Sequence, residues 1–326
     1  NMSSSTKKVD EAQEHIRQAE KSLKTSLLKW RPDYDLAADE YNKAATCYKT
    51  IKNYVQCKEC LQKAAFYYKQ HKSFFSAGKC YDQAVLVSKE LGNMLDVADY
   101  AEKACSLFQE HGSPDTGALC LDRAAKIIEQ THPDRALVLY LRAADVAMIE
   151  DKTRQAAEFM SKAARTMVKL RRFDEAADAI RREIGLHQKE ENLPCMGRLV
   201  VCLVLVQLAR EDYVAAEKAF REWGNCCDAE EVQVLETLLD AYDQEDGERA
   251  KRALNSPFIK HMDVEYSKLA RDLPLPSGIL SGSQLPQDNS NIVQRVNEMN
   301  ISKGEADTPA QQKGGDDDDD FEGGLL

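Results

Sequence analysis

Large and small residues recur in a fixed frame along the first 190 positions of the chain. A column of mostly large side chains runs through Tyr41, Leu61, Tyr81, Ala101, Leu121, Tyr140, Met160 and Ile180. Four residues before each stands a small or short one: Ala37, Cys57, Ala77, Val97, Gly117, Ala136, Ala156 and Ala176. Three residues after the first seven comes an alanine: Ala44, Ala64, Ala84, Ala104, Ala124, Ala143 and Ala163, at steps of 20, 20, 20, 20, 19 and 20. Positions −4, 0 and +3 share one face of an α-helix. Small residues on that face let two helix axes approach, and the large one fills the groove between them. Each unit is therefore predicted to be one helix of ~14 residues and a short turn. Ser113-Pro114-Asp115, His132-Pro133-Asp134 and Phe173-Asp174-Glu175 read as helix starts. Proline suits the first turn, and acids suit its positive end.

Two such units make an antiparallel hairpin of ~40 residues, akin to tetratricopeptide (TPR) repeats but longer than their usual ~34. The predicted fold class is all-α. It is a TPR-like twisted sheet of antiparallel helical hairpins, a right-handed superhelical solenoid, ending in a C-terminal helical bundle. Eight units stacked at ~10 Å give two layers of helices about 80 Å long. Such a stack offers a long surface for binding in place of a pocket for chemistry.

Three regions are expected. Residues 7–190 form the repeat sheet, opened by an amphipathic helix over 7–26 with Val9, Ile16, Ala19 and Leu23 on one side. Asn192-Leu193-Pro194 is read as an interruption. Residues 195–272 are read as a globular helical bundle: Leu199–Arg210 apolar nearly all round, then helices from Tyr213, over Glu230–Asp243, and from Asn255-Ser256-Pro257-Phe258 to about Leu269. Residues 273–326 turn to Gly, Ser, Pro, Gln and Asn and are read as a flexible tail. Ile292, Val293, Val296 and Met299 suit one short amphipathic helix within it.

Charge sharpens this division. The tail carries 3 bases and 10 acids, a net of −7; residues 1–272 carry 41 bases and 45 acids, a net of −4. A near-balanced body with an acidic tail argues against nucleic acid as a partner. The most apolar stretch, Leu199–Ala209, is too short to span a bilayer and reads as a core helix. Nothing at the N-terminus resembles a secretion signal, so a soluble chain is expected. Cys57, Cys60, Cys80, Cys105 and Cys120 lie on helix-patterned faces, as small hydrophobes do in a reducing compartment. Cys57-x-x-Cys60 has no second pair at zinc spacing, and no metal or other cofactor is expected.

No catalytic constellation is legible. Gly78-Lys79 lacks the rest of a phosphate loop, and Cys226-Cys227 has no evident base beside it. Three surface features remain. In Leu27-Leu28-Lys29-Trp30-Arg31-Pro32, Leu27, Leu28 and Trp30 either cap the first hairpin or touch a membrane, where tryptophan suits the interface and bases suit anionic lipid. Arg165, Lys169, Arg171 and Arg172, with Arg181 and Arg182, surround one turn. They either attract an acidic helical partner or pair locally with Asp174, Glu175 and Asp178. Asp240, Asp243, Glu245 and Asp246, with Glu211 and Asp212, make an acidic end, either solvated or a docking face. The tail closes on Asp316 to Asp320, Phe321, Glu322, two glycines, Leu325 and Leu326, in the manner of a docking peptide.

Several ordered segments carry a family resemblance. They are Leu27 to Asp35, Gly112-Ser113-Pro114-Asp115-Thr116, Arg171 to Ala177, Asp212 to Glu217, Leu238 to Gln244, and Asn255-Ser256-Pro257. Over residues 8–272 and the acidic tail, the chain resembles the soluble N-ethylmaleimide-sensitive-factor (NSF) attachment proteins, or SNAPs, and their gamma type in particular. The resemblance implies a non-enzymatic adaptor. It would bind assembled four-helix SNARE complexes of the syntaxin type and recruit and stimulate the hexameric AAA ATPase NSF. The ATPase would then disassemble the bundle in vesicle fusion and in ER–Golgi and other intracellular protein transport. It also implies a cytoplasmic protein held peripherally at membranes. By position, Leu27 and Leu28 match the family's membrane loop, while Asp240, Asp243 and Leu326 match its ATPase-facing residues, with Glu245 and Leu325 beside them. Gln244 replaces an acid. Two SNARE-gripping basic positions of the alpha type fall on Leu119 and Met148, which moves that role to Arg165, Lys169, Arg171 and Arg172. A general TPR-like scaffold that captures a partner peptide without any ATPase is the alternative.

Overall fold

A computed structural model describes residues 2–277. The described residues form fifteen α-helices and no strand. The first eleven are α1 (Met2–Leu23), α2 (Tyr34–Thr50), α3 (Tyr54–Gln70), α4 (Phe74–Glu90), α5 (Met94–His111), α6 (Pro114–Ile128), α7 (Pro133–Ile149), α8 (Thr153–Lys169), α9 (Phe173–Lys189), α10 (Leu193–Ala209) and α11 (Tyr213–Trp223). Four shorter or later helices follow: α12 (Ala229–Asp243), α13 (Gly247–Leu254), α14 (Pro257–Lys260) and α15 (Val264–Arg271). Each helix from α1 to α11 packs mainly on its sequence neighbours, so the chain is a succession of helical hairpins, a TPR-like solenoid. The short-range calls in the tail, including the helix around Ile292–Met299, lie outside the described residues.

The column of alanines does what the pattern requires. Ala44, Ala64, Ala84, Ala104, Ala124, Ala143 and Ala163 are all completely buried. Gly117 shows how close the helices come: a Cβ built on it would stand 3.1 Å from both the backbone Cα and the carbonyl oxygen of Cys105 on the preceding helix. The cysteines at 57, 60, 80, 105 and 120 are buried, and all ten cysteines of the chain are free thiols.

The helices are longer than expected, mostly 17 residues against ~14, because most turns from α2 to α11 are only three residues long. Most turns close by a left-handed residue: Lys52, Lys72, Gly92, Gly112, Asp151, Arg171, Glu191 and Glu211 have φ between 53° and 91°. The next residue's N–H reaches back to the carbonyl five positions earlier, as Asn53 to Tyr48 at 2.9 Å and Asp212 to Gln207 at 3.0 Å. This satisfies carbonyls that the helix end leaves open. The 19-residue step has its own cause. Between α6 and α7, among the described residues, no left-handed residue occurs, and His132 N–H bonds Ile128 O instead, at 2.7 Å.

Left-handed backbone costs a side-chain-bearing residue about 1–2 kcal/mol, against which glycine's extra chain entropy costs about 0.5–1. Lys72→Gly is therefore expected to raise stability by roughly 0.5–1 kcal/mol. Gly92→Ala is expected to lower it by a similar amount, since a Cβ there meets no atom within 4 Å and the cost is conformational alone. Urea melts that move both variants in the same direction would refute this account.

Three sequence boundaries are corrected. The opening helix ends at Leu23, not 26, and extends back to Met2. Asn192-Leu193-Pro194 does not interrupt the step: helices begin at 173, 193 and 213. Asn192 Oδ1 accepts the N–H of Cys195, and Pro194 occupies the first turn, where its missing donor costs nothing. The helix expected from Ser256 to Leu269 is two helices, broken at His261–Asp263, with Asp263 capping α15. The intervening α13 carried too few apolar residues to be read.

Polar contacts join helices α3 to α6 to their counterparts in the next hairpin, 33–41 residues away. Lys58 pairs with Asp96 at 3.0 Å, Arg135 with Glu102 at 2.7 Å and Asp99 at 3.0 Å, Lys162 with Asp122 at 2.6 Å, and Arg123 with Asp82. α15 packs against α8 and α10, so the last helices sit on the later repeats.

Candidate interaction surfaces

The loop joining α1 to α2 is held in a defined shape. Ser26 and Lys29 exchange backbone hydrogen bonds of 2.9 and 3.0 Å. The Lys29 ammonium donates to the Ser22 carbonyl at 2.6 Å, and Asp33 N–H reaches the same oxygen at 3.0 Å. The end of α1 is thus capped by loop polar groups, and the loop's apolar side chains are left outside. Leu27, Leu28 and Trp30 are 96%, 97% and 87% exposed. They bury nothing in the first hairpin, which removes the capping reading. The exposed Lys24 and Arg31 flank them.

The four basic candidates fall in two places. Arg165 and Lys169 share a groove with Lys126, Lys162 and Tyr140. Arg165 is engaged there: its guanidinium pairs with Asp263, 98 residues on, at 2.8 Å. Lys169 donates to Gln130 at 3.1 Å. Arg171 and Arg172 line a separate hollow with Phe173 and Arg210. Arg171 is the left-handed turn residue and stacks on the Phe173 ring at 5.1 Å. Arg172 forks onto Glu175 at 2.6 and 2.8 Å. That hydrogen bond, more than the nearby charge, raises its pKa further, so it is a fixed cation. Leu119 is exposed on α6, and Met148 is half-buried near the end of α7.

The acidic candidates gather at the far end of the solenoid. Asp243 and Glu245 are exposed at the α12–α13 turn, with Glu245 the left-handed residue. Asp240 is half-buried, bonds Arg249 and accepts from Gln244 Nε2 at 3.0 Å. Asp246 caps α13 through Arg249 N–H at 3.0 Å. The α10–α11 turn with Glu211 and Asp212 comes close. Tyr213, next in the chain, has its pKa raised first by burial and then by Asp243, Glu217 and Asp240. Two acidic turns therefore converge. Leu325 and Leu326 lie outside the described residues.

The sequence did not disclose one further feature. α8, α9 and α10 and the last helices line an open pocket of ≈ 600 Å³ bounded by Arg165, Glu183, His187, Arg198, Phe258 and Tyr266 among others. Burial pushes the Glu183 carboxyl above the usual carboxylate range against the pull of His187, and its Oε2 has no hydrogen-bond partner. Its walls come from segments up to 105 residues apart, so no local pattern marks it. The cross-hairpin pairs did leave a signal: opposite charges at about twice the repeat step, as in Asp82/Arg123 and Asp122/Lys162. No described helix is long and apolar enough to cross a membrane.

The family model for soluble NSF attachment protein, SNAP, matches residues 10–256. A gamma-soluble NSF attachment protein of Dictyostelium discoideum is 23% identical over 83% of this chain and 85% of its own length. One of Arabidopsis thaliana is 25% identical over 79% of this chain and 90% of its own. An alpha-soluble NSF attachment protein of Vitis vinifera is 25% identical over 73% of this chain and 84% of its own.

Proposed function

This chain belongs to the soluble NSF attachment protein family, and from that premise we propose that it is an adaptor without chemistry of its own, bridging an assembled SNARE four-helix bundle and the hexameric ATPase NSF. The observation that supports this reading best is the placement of its two exposed features. The apolar loop belongs to the first hairpin. The converging acidic turns belong to the last helices, with eight helices, α3 to α10, between them. One end suits an anionic bilayer, the other a basic partner, and the stacked hairpins between suit a rope-like target. The grooves bearing Arg165 with Lys169 and Arg171 with Arg172 are the proposed contacts to acidic faces of the bundle. The protein would work in the cytoplasm, at membrane surfaces.

Each charged rim contact contributes little alone, so several copies around one bundle would supply the avidity. Reversing the acidic end isolates one step. In Asp240→Lys/Asp243→Lys/Glu245→Lys, retention on immobilised SNARE bundle is expected to stay within about twofold of wild type. Recruitment of NSF is expected to fall by at least about tenfold, because like charges facing each other cost several kcal/mol. Equal NSF recruitment by both proteins would remove the acidic end from the mechanism. Loss of SNARE retention would place the SNARE contact there instead.

A further inference from the structure

The first hairpin holds a group of side chains that the adaptor reading does not use. Glu11 and His15 lie one turn apart on α1 and so share a face. Antiparallel α2 brings the buried Cys47 opposite them. One donor atom from each of the three lies within 4.8 Å of the others. His15 Nδ1 is committed to Glu40 on α2, at 2.6 Å. A carboxylate only accepts, so Nδ1 carries the proton and Nε2 keeps its lone pair. Glu40 is itself fixed by the Lys43 ammonium at 3.0 Å.

We propose that Glu11, His15 and Cys47 form a zinc site that staples α1 to α2. The donor set is the argument. A thiolate, an imidazole and a carboxylate suit zinc, whereas magnesium and calcium want oxygen alone. A tetrahedral zinc at about 2.0–2.3 Å from each donor needs donors roughly 3.3–3.8 Å apart. Glu11 is half-exposed and rotates freely enough to close that gap. The Glu40–His15 bond is the arrangement by which a carboxylate orients a zinc-bound imidazole. Lys8 is the competing cation. It holds Glu11 Oε2 at 2.7 Å and leaves the other carboxylate oxygen for the metal. Binding converts the Cys47 thiol to thiolate with release of one proton. Water fills the fourth position on the exposed side. The staple tightens the same hairpin whose loop presents Leu27, Leu28 and Trp30.

The test uses the full chain and zinc chloride alone. Native mass spectrometry and titration calorimetry should show one equivalent bound. At about 100 times the dissociation constant, Tm should rise on the order of 5 °C. Cys47→Ser and His15→Gln should each weaken binding at least about 100-fold, and Glu40→Gln about tenfold. Cobalt(II) should give a thiolate charge-transfer band that Cys47→Ser removes and Cys57→Ser does not. Glu11→Gln sits at an exposed position and should weaken binding without disturbing the fold, which circular dichroism checks. No stoichiometric binding, or binding that survives Cys47→Ser and His15→Gln unchanged, overturns the assignment.

Discussion

Replacing Leu27 and Leu28 together by serine is expected to cut binding to anionic liposomes by about 30–100-fold and to leave the melting temperature unchanged. Both halves follow from exposure. The two leucines are 96% and 97% accessible in the free protein, so folding gains nothing from burying them. Surface substitutions of that kind fall within about 0.5 kcal/mol. Transferring a leucine side chain fully out of water contributes about 1.5–3 kcal/mol, and partial insertion at an interface somewhat less. Two of them together give roughly 2–3 kcal/mol, which is the stated fold-change. Trp30, 87% exposed and suited to the headgroup region, adds a further increment that Trp30→Ser would remove. Lys24, Lys29 and Arg31 supply about 1 kcal/mol each near an anionic surface, so neutral liposomes should bind more weakly from the start. SNARE disassembly by NSF is the functional readout. The double variant should be impaired on liposomes and normal in detergent. Equal impairment in both media, or a fall in Tm, would mean that the loop serves the protein's own packing or a protein partner.

The loop, the repeat and the family were legible because each depends on residues close together in the chain. A helix face is written in positions −4, 0 and +3, and burial of every alanine in the column follows from that spacing. Helix length was not legible in the same way. Lys52 and Lys72 occupy the left-handed turn position that Gly92 and Gly112 mark openly, and a lysine gives no local sign of that conformation. Lys52, Lys72, Gly92 and Gly112 stand 20 residues apart, so the two glycines mark in sequence the turn position that the lysines share. The basic cluster shows the opposite limit. Arg165, Lys169, Arg171 and Arg172 are adjacent in sequence, but the turn after α8 divides them between two hollows. Arg165 finds its partner 98 residues away in Asp263, a contact set by how the last helices dock and by nothing near either residue. The α14–α15 break has the same origin: Asp263 caps one helix and at the same time receives Arg165.

That docking is where a single substitution should have the second large effect. Gly197 lies on α10 where the segment leading into α12 crosses it. A Cβ built there would stand 2.8 Å from the Cys226 carbonyl oxygen and 3.1 Å from Cys227 Cα, and would also strike the Glu231 carboxylate. None of these yields easily. Two are backbone atoms, and Glu231 is locked in the capping box that starts α12, its Oε2 accepting Asp228 N–H at 2.8 Å while Asp228 Oδ1 accepts Glu231 N–H at 2.8 Å. Gly185 on α9 is the matched control, because a Cβ there meets nothing within 4 Å. Gly185→Ala should stabilise by about 0.5–1 kcal/mol, the ordinary gain of alanine over glycine inside a helix. Gly197→Val should destabilise by about 3 kcal/mol, through overpacking against atoms that cannot move away. In a calorimetric scan that is a fall of roughly 6–12 °C. Since contacts run between neighbouring helices, the early hairpins should keep their transition while the part containing α10 to α15 melts first. The consequence for function is specific. α12 carries Asp240 and Asp243, so the valine variant should hold SNARE bundles and recruit NSF poorly, as the charge-reversed protein does, but for a mechanical reason that lower temperature partly corrects. If Gly197→Val melts with Gly185→Ala, the last helices are not seated on α10 as described. If it melts early yet recruits NSF at full strength, the acidic turns act without being held in place.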